Sequence, residues 1–243
     1  MSANGDENPS SGSDIEGPVD IIPDGNVILV VGLEKLRIRI SSHLLCTASP
    51  VFDAMLNSSF DEGTRLRESQ GEPVDIKLPA DSGRAMLHAL KTLYGADPEM
   101  LRLSPRNIQE LAFLADKYDM APRFALAGAA WMSVGRTGAE QYWQMMTAAY
   151  WLRLHDGFHR MSWLLAAQMN FDEIFRYAIE TPDATLGLQL GMAILLFYRA
   201  ESEQTPRPVG GLCLHCISKA TDSTDNPLDM VPNCPFLKNH YIR

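Results

Sequence analysis

The chain is short of positive charge. It has 21 Lys and Arg against 30 Asp and Glu, a formal net charge of −9, and its basic residues are nowhere clustered. Duplex binding needs Lys and Arg gathered on one surface to neutralise phosphates, so no nucleic-acid interface is expected. Long apolar runs are lacking too. The most apolar window, Leu186 to Tyr198, is 13 residues long and contains Gly187 and Gly191, which is short of the roughly 18 apolar residues that suggest a membrane span. No membrane segment is expected. The first residues lack a cationic start followed by an apolar run, so no secretory signal is read. An intracellular protein of cytoplasm or nucleus is expected, where the sequon Asn57-Ser58-Ser59 is idle.

The short motifs of catalysis are also missing. Val27 to Gly32 resembles the opening strand of a dinucleotide fold, but Leu33-Glu34-Lys35 follows, without the later glycines that let a pyrophosphate approach backbone amides. There is no nucleophile elbow, no phosphate-cradling loop and no ligand-spaced set of carboxylates. No enzyme is expected.

What remains is enough apolar sequence for a real core, 46% of residues, with 21% charged. Residues 1 to 25 hold Asp6, Glu7, Asp14, Glu16, Asp20 and Asp24 and no base. Residues 1–19, rich in Ser, Gly and acid, read as a disordered leader, with the folded unit starting near Asp20.

Two β-rich runs follow, Val27 to Val31 and Leu36 to Ile40, separated by Gly32 and reading as a hairpin. In Ser41-Ser42-His43-Leu44-Leu45-Cys46-Thr47-Ala48-Ser49-Pro50-Val51-Phe52 a short helix stops at Pro50 and a second starts on it. His43 is expected to be structural. Cys46 falls on the apolar side of its helix and is expected in the core, as is Phe52, beside Val51 and Met55. Asn57 to Pro73 is polar and reads as an exposed connector. Val74-Asp75-Ile76-Lys77-Leu78 alternates like a half-buried strand. Helical spacing then links Met86, Leu87, Leu90, Leu93 and Tyr94, and next Ile108, Leu111, Ala112, Ala115 and Tyr118, the latter opened by Ser104-Pro105. Pro122 opens a further helix carrying Phe124, Ala127, Trp131 and Val134.

In the order of these elements, and in Leu114-Ala115-Asp116-Lys117-Tyr118-Asp119, residues 20–135 resemble a BTB (POZ) domain of the style common in fungi. The resemblance implies an α+β fold, a small three-stranded sheet flanked by helices. It also implies a non-enzymatic protein-interaction module, a scaffold or adaptor that binds other proteins or itself. Some BTB domains join a cullin scaffold to a substrate in ubiquitin ligases, and others recruit transcriptional partners. Residues 1–19 lack the apolar pattern of the extra N-terminal strand and helix used in one swapped dimer, so that dimer is not expected. Asp97-Pro98-Glu99 carries the Glu of a cullin-binding pattern with Asp in its apolar place, and leaves cullin binding open.

Residues 136–204 read as an all-α extension packed on this core. Trp143, Met146, Tyr150, Trp151 and Leu154, then Phe158, Met161 and Leu165, and then Leu188, Met192, Leu195 and Leu196 recur at helical spacing, as buried stripes do. His155 and His159 are four apart on this stretch, but Gly157 lies between them and no third ligand is near, so they read as ordinary polar histidines rather than a catalytic pair. Residues 205–243 read as an irregular tail punctuated by Pro and Gly. It carries Cys213, Cys216, Cys234 and His240 in the pattern C-x2-C-x17-C-x5-H. Two thiolates of a CxxC turn onto one ion, and a distant Cys/His pair completes a tetrahedron, the ligand logic of structural zinc. Stable disulfides are not expected inside a cell, and the alternative is a set of free thiols. Whether His215 replaces His240 as the fourth ligand stays open.

Overall fold

The computed structural model describes residues 17–95, 97–135, 137–168, 171–203, 210–220 and 233–236, with backbone alone for residue 171 and residues 199–203. The acidic leader therefore falls, up to residue 16, outside the described residues.

Four strands form one sheet: β1 (Val19–Asp20), β2 (Val27–Val31), β3 (Leu36–Ile40) and β4 (Val74–Leu78), in the order β1-β3-β2-β4. β2 and β3 are the antiparallel hairpin, with Leu29 opposite Ile38. β4 lies parallel to β2, with Leu29 also opposite Ile76. Alternation does the rest. Val27, Leu29, Val31, Ile38, Ile40, Ile76 and Leu78 all turn inward and are buried. The expected three-stranded sheet gains a two-residue edge strand, β1, parallel to β3. The hairpin turn needs positive φ at Gly32 (76°) and Lys35 (53°). It aims the Glu34 carboxylate at the backbone N–H of Gly83, 3.1 Å away.

Among the described residues there are eleven α-helices. α1 (Ser42–Ala48) and α2 (Pro50–Asn57) meet at Ser49, whose Oγ accepts from the Phe52 N–H (3.1 Å) and donates to the Tyr118 carbonyl (2.6 Å). Phe52 is fully buried and stacks on Tyr118 at 4.5 Å. Its neighbour Val51 is exposed and Met55 only half-buried, so the apolar face of α2 is narrower than the sequence suggests. Cys46 is likewise half-buried rather than core. His43 is exposed, and Asn26, not His43, fixes the start of α1 by two hydrogen bonds to Ser42. The expected connector after α2 contains a helix, α3 (Asp61–Glu68), which holds an Arg65–Asp61 ion pair at 2.9 Å. Arg65 and Arg67 in its last turn and Asp61 and Glu62 in its first complement the helix dipole, a signal apolar periodicity does not carry.

α4 (Gly83–Tyr94) and α5 (Pro105–Lys117) are capped by Ser82 and Ser104. Ile108, Leu111, Ala112, Ala115 and Tyr118 are all buried, as their spacing predicts. α6 (Ala125–Ser133) follows a 3-10 turn at Ala121–Phe124, burying Trp131 but leaving Val134 exposed.

The extension consists of α7 (Ala139–Trp151), α8 (His155–Gln168), α9 (Phe171–Glu180) and α10 (Ala184–Glu203). α7 packs on α5 through a buried Gln109–Thr147 hydrogen bond (2.7 Å) and an edge contact of Phe113 with Trp151. Trp143 of α7 donates from its indole to Thr181 (2.9 Å), after α9. One continuous hydrophobic core runs from the sheet through these helices. On α10 the stripe differs from expectation. Leu186, Leu190, Ala193, Ile194 and Phe197 are buried, while Leu188 and Met192 are 49% and 55% exposed. The helix is apolar on more than one face, so periodicity alone does not select the inner one. The tail is not wholly irregular either, since α11 spans Leu214–Ala220. No helix among the described residues is long and apolar enough to cross a membrane.

Candidate metal centre

The chain returns to the helical extension along one face of α8. The backbone N–H of Gly211 points at the His159 imidazole, 3.2 Å from its ring nitrogens, and that of Leu212 donates to Ser162 Oγ at 2.8 Å. Ser162 is fully buried, and its hydroxyl donates a hydrogen bond to the His159 carbonyl at 2.9 Å. A Cβ on Gly211 would collide with that carbonyl, so this approach requires glycine. Leu212 is buried, and the next residue, Cys213, leads into α11.

Cys213 and Cys216 are three apart where α11 begins, with the Ile217 N–H bonded to the Cys213 carbonyl at 3.0 Å, so both sulfurs face one side. Cys234 comes from the segment 233–236, entered through Asn233 at φ 61°. The three sulfurs lie within 4.8 Å of one another. Cys213 Sγ and Cys234 Sγ are 3.8 Å apart, and the three residues are 6%, 2% and 3% exposed. Burial pushes the Cys213 thiol up, against the lowering effect of a hydrogen bond with the Cys216 backbone. Three sulfurs this close and buried suit a soft metal ion that displaces their protons on binding.

Phe236 packs on the three cysteines and stacks on His155 at 3.8 Å and 15°. Burial, together with nearby His215, holds His155 below the ordinary histidine range.

The sequence-predicted ligands Cys213, Cys216 and Cys234 are thus brought together, and His240 lies outside the described residues. His155 and His159 do share one face of α8, but that face receives the tail. One ring stacks on Phe236 and the other takes the Gly211 amide. Among the described residues, the three cysteines are the one His/Cys/Asp/Glu cluster with ligand spacing. Sequence reasoning missed the seat on α8. The pair Gly210-Gly211 just before the CxxC was its available signal, since a glycine there marks a close backbone approach.

No family model matches the chain, and no curated protein matches it either.

Proposed function

We propose that this chain is a non-enzymatic protein-interaction module of BTB/POZ architecture, extended by a helical unit and a zinc-stapled C-terminal segment. The hairpin β2–β3, the paired helices α1–α2, the strand β4 and the helices α4–α5 follow the order of that fold. The observation that carries the interaction reading is an apolar surface on α9 and α10. Gly187 of α10 packs on Ala178 of α9, and Gly191 on Ala178 and Ile174, so the two helices run antiparallel. In antiparallel helices the residue after each contact position turns to the same side. That side carries Phe175, Ile179, Leu188 and Met192, each about half exposed or more. Large apolar side chains gathered on a surface mark contact with another macromolecule.

The test is affinity purification of the tagged full chain from its native cell, beside a Phe175→Asp, Met192→Asp variant. The reading predicts specific protein partners lost in the variant. An unchanged set of partners in the variant would refute the role of this face. A cullin among those partners makes the chain a ubiquitin-ligase adaptor, chromatin proteins make it a transcriptional recruiter, and a second copy makes it a self-associating scaffold.

The cysteine cluster supports a second element of the reading, structural zinc. Buried thiolates are soft ligands that suit zinc, and with His240 as the fourth they close a tetrahedron with no position for an activated water. Such an ion organises the tail and catalyses nothing. A chelator is expected to make residues 210–236 protease-sensitive while the α+β core stays folded. Tail and core loosening together would contradict this division of labour.

A further inference from the structure

Sulfurs this close can react with each other as well as hold an ion. We propose that the cluster is a peroxide-sensitive switch, in which two-electron oxidation joins Cys213 to Cys234, expels the zinc and leaves Cys216 reduced. The proposal rests on the zinc reading above.

Cys213 bonds the side chains of both other cysteines, and contact together with backbone freedom favours Cys234 as its partner. The Cys213 and Cys234 sulfurs are already in contact at 3.8 Å, and a modest approach brings them to the roughly 2.05 Å of a disulfide. Cys216 is held inside α11, whose first hydrogen bond runs from Ile217 to Cys213. Cys234 sits in the non-helical segment 233–236, so it is the sulfur whose backbone adjusts most readily. All three residues are buried, and oxidation at Cys213 places the sulfenic acid in contact with Cys234.

The Cys213 thiolate attacks hydrogen peroxide, breaking its O–O bond, to give a sulfenic acid and hydroxide. The Cys234 thiolate then attacks that sulfur, forming the S–S bond and expelling a second hydroxide. The two sulfurs lose two electrons and the peroxide gains them. Both hydroxides take up protons and become water, and the Cys216 thiolate is protonated as the ion leaves. Phe236, two residues beyond Cys234, carries the displacement to the ring of His155 on which it stacks.

The experiment titrates the zinc-loaded full chain with hydrogen peroxide, reading released zinc with a chromogenic chelator and thiol pairing by non-reducing peptide mapping. The expected result is release of zinc in step with a Cys213–Cys234 link, both reversed by dithiothreitol and added zinc. In a Cys216→Ser variant, which lacks a ligand but keeps the pair, the same link is expected at several-fold lower peroxide. A Cys213–Cys216 link in the wild type, or zinc retained while the half-buried Cys46 is oxidised, would overturn the proposal. A purified chain that takes up no zinc at all would defeat the metal reading instead. The same peptide map would then still report whether the Cys213–Cys234 pair forms.

Discussion

Phe52 links the two halves of the α+β core, stacked on Tyr118 and fully buried next to the Ser49 cap. Phe52→Ala removes that ring and leaves a cavity, and denaturant titration is expected to show a loss of about 3–5 kcal/mol. A loss below about 1 kcal/mol would mean the site collapses without cost. His88 on α4 tests the electrostatics of burial. Burial first, and then Arg84, holds it below the ordinary 6.5, and its Nδ1 has no hydrogen-bond partner. A depressed folded pKa gives stability that is complete above the unfolded value and is lost as pH falls through the folded one. The denaturation midpoint is therefore expected to drop between about pH 7 and 5, and to drop less in His88→Leu. Equal drops in both proteins would show that other groups set the dependence. Gly211 is the residue on which tail docking turns. Gly211→Ala places a Cβ against the His159 carbonyl, so faster hydrogen exchange is expected over residues 210–220, with α4 and α5 unaffected. Unchanged exchange in the tail would show that α8 is not its seat.

Helix and strand boundaries show how far the sequence could be read. The hairpin, the α1–α2 break at Pro50 and the inner face of α5 were legible because each has its own local code: alternation, a Pro at a helix start, a Ser cap followed by helical spacing. α3 was not, because its order comes from charge placement with only one buried position, Gly63. On α10, apolar residues on several faces hid which one is inward, and the choice is made by Gly187 and Gly191 fitting against α9. A Cβ on Gly187 would meet the Ala178 carbonyl. Gly187→Ala is therefore expected to lower Tm by several degrees, as overpacking of about 1–3 kcal/mol would. An unchanged Tm would contradict the close α9–α10 contact. At the other end, β1 pairs with β3 through Val19 and Asp20. Removing residues 1–16 is expected to leave Tm unchanged, whereas removing residues 1–22 also takes the half-buried Ile21 and Ile22 and is expected to lower it. Equal Tm values for the two truncations would mean that the edge strand contributes nothing.

Across the whole molecule, the C-terminal segment joins the main core through few apolar residues. Its described portion touches the core through Leu212, Leu214 and Ile217, whereas Cys213, Cys216, Cys234 and Phe236 form a small cluster apart from the main core. Four candidate ligands, Cys213, Cys216, Cys234 and His240, could be named from the sequence, because CxxC fixes two thiols on one turn of chain; His240 lies outside the described residues, and the three cysteines come together. The α8 face that receives them is a tertiary fact, and spacing does not encode it. A metal bound by the three cysteines would add organising free energy to this segment. Because each ligand thiol must lose a proton to bind, affinity for the ion is expected to fall as pH is lowered, the more so at Cys213, whose thiol burial pushes up. The most direct test is elemental analysis of the purified full chain beside Cys213→Ser and Cys234→Ser. The account predicts close to one zinc per chain in the wild type and a loss of most of it in each variant. Less than about a tenth of an equivalent in the wild type, or an undiminished amount in both variants, would contradict it.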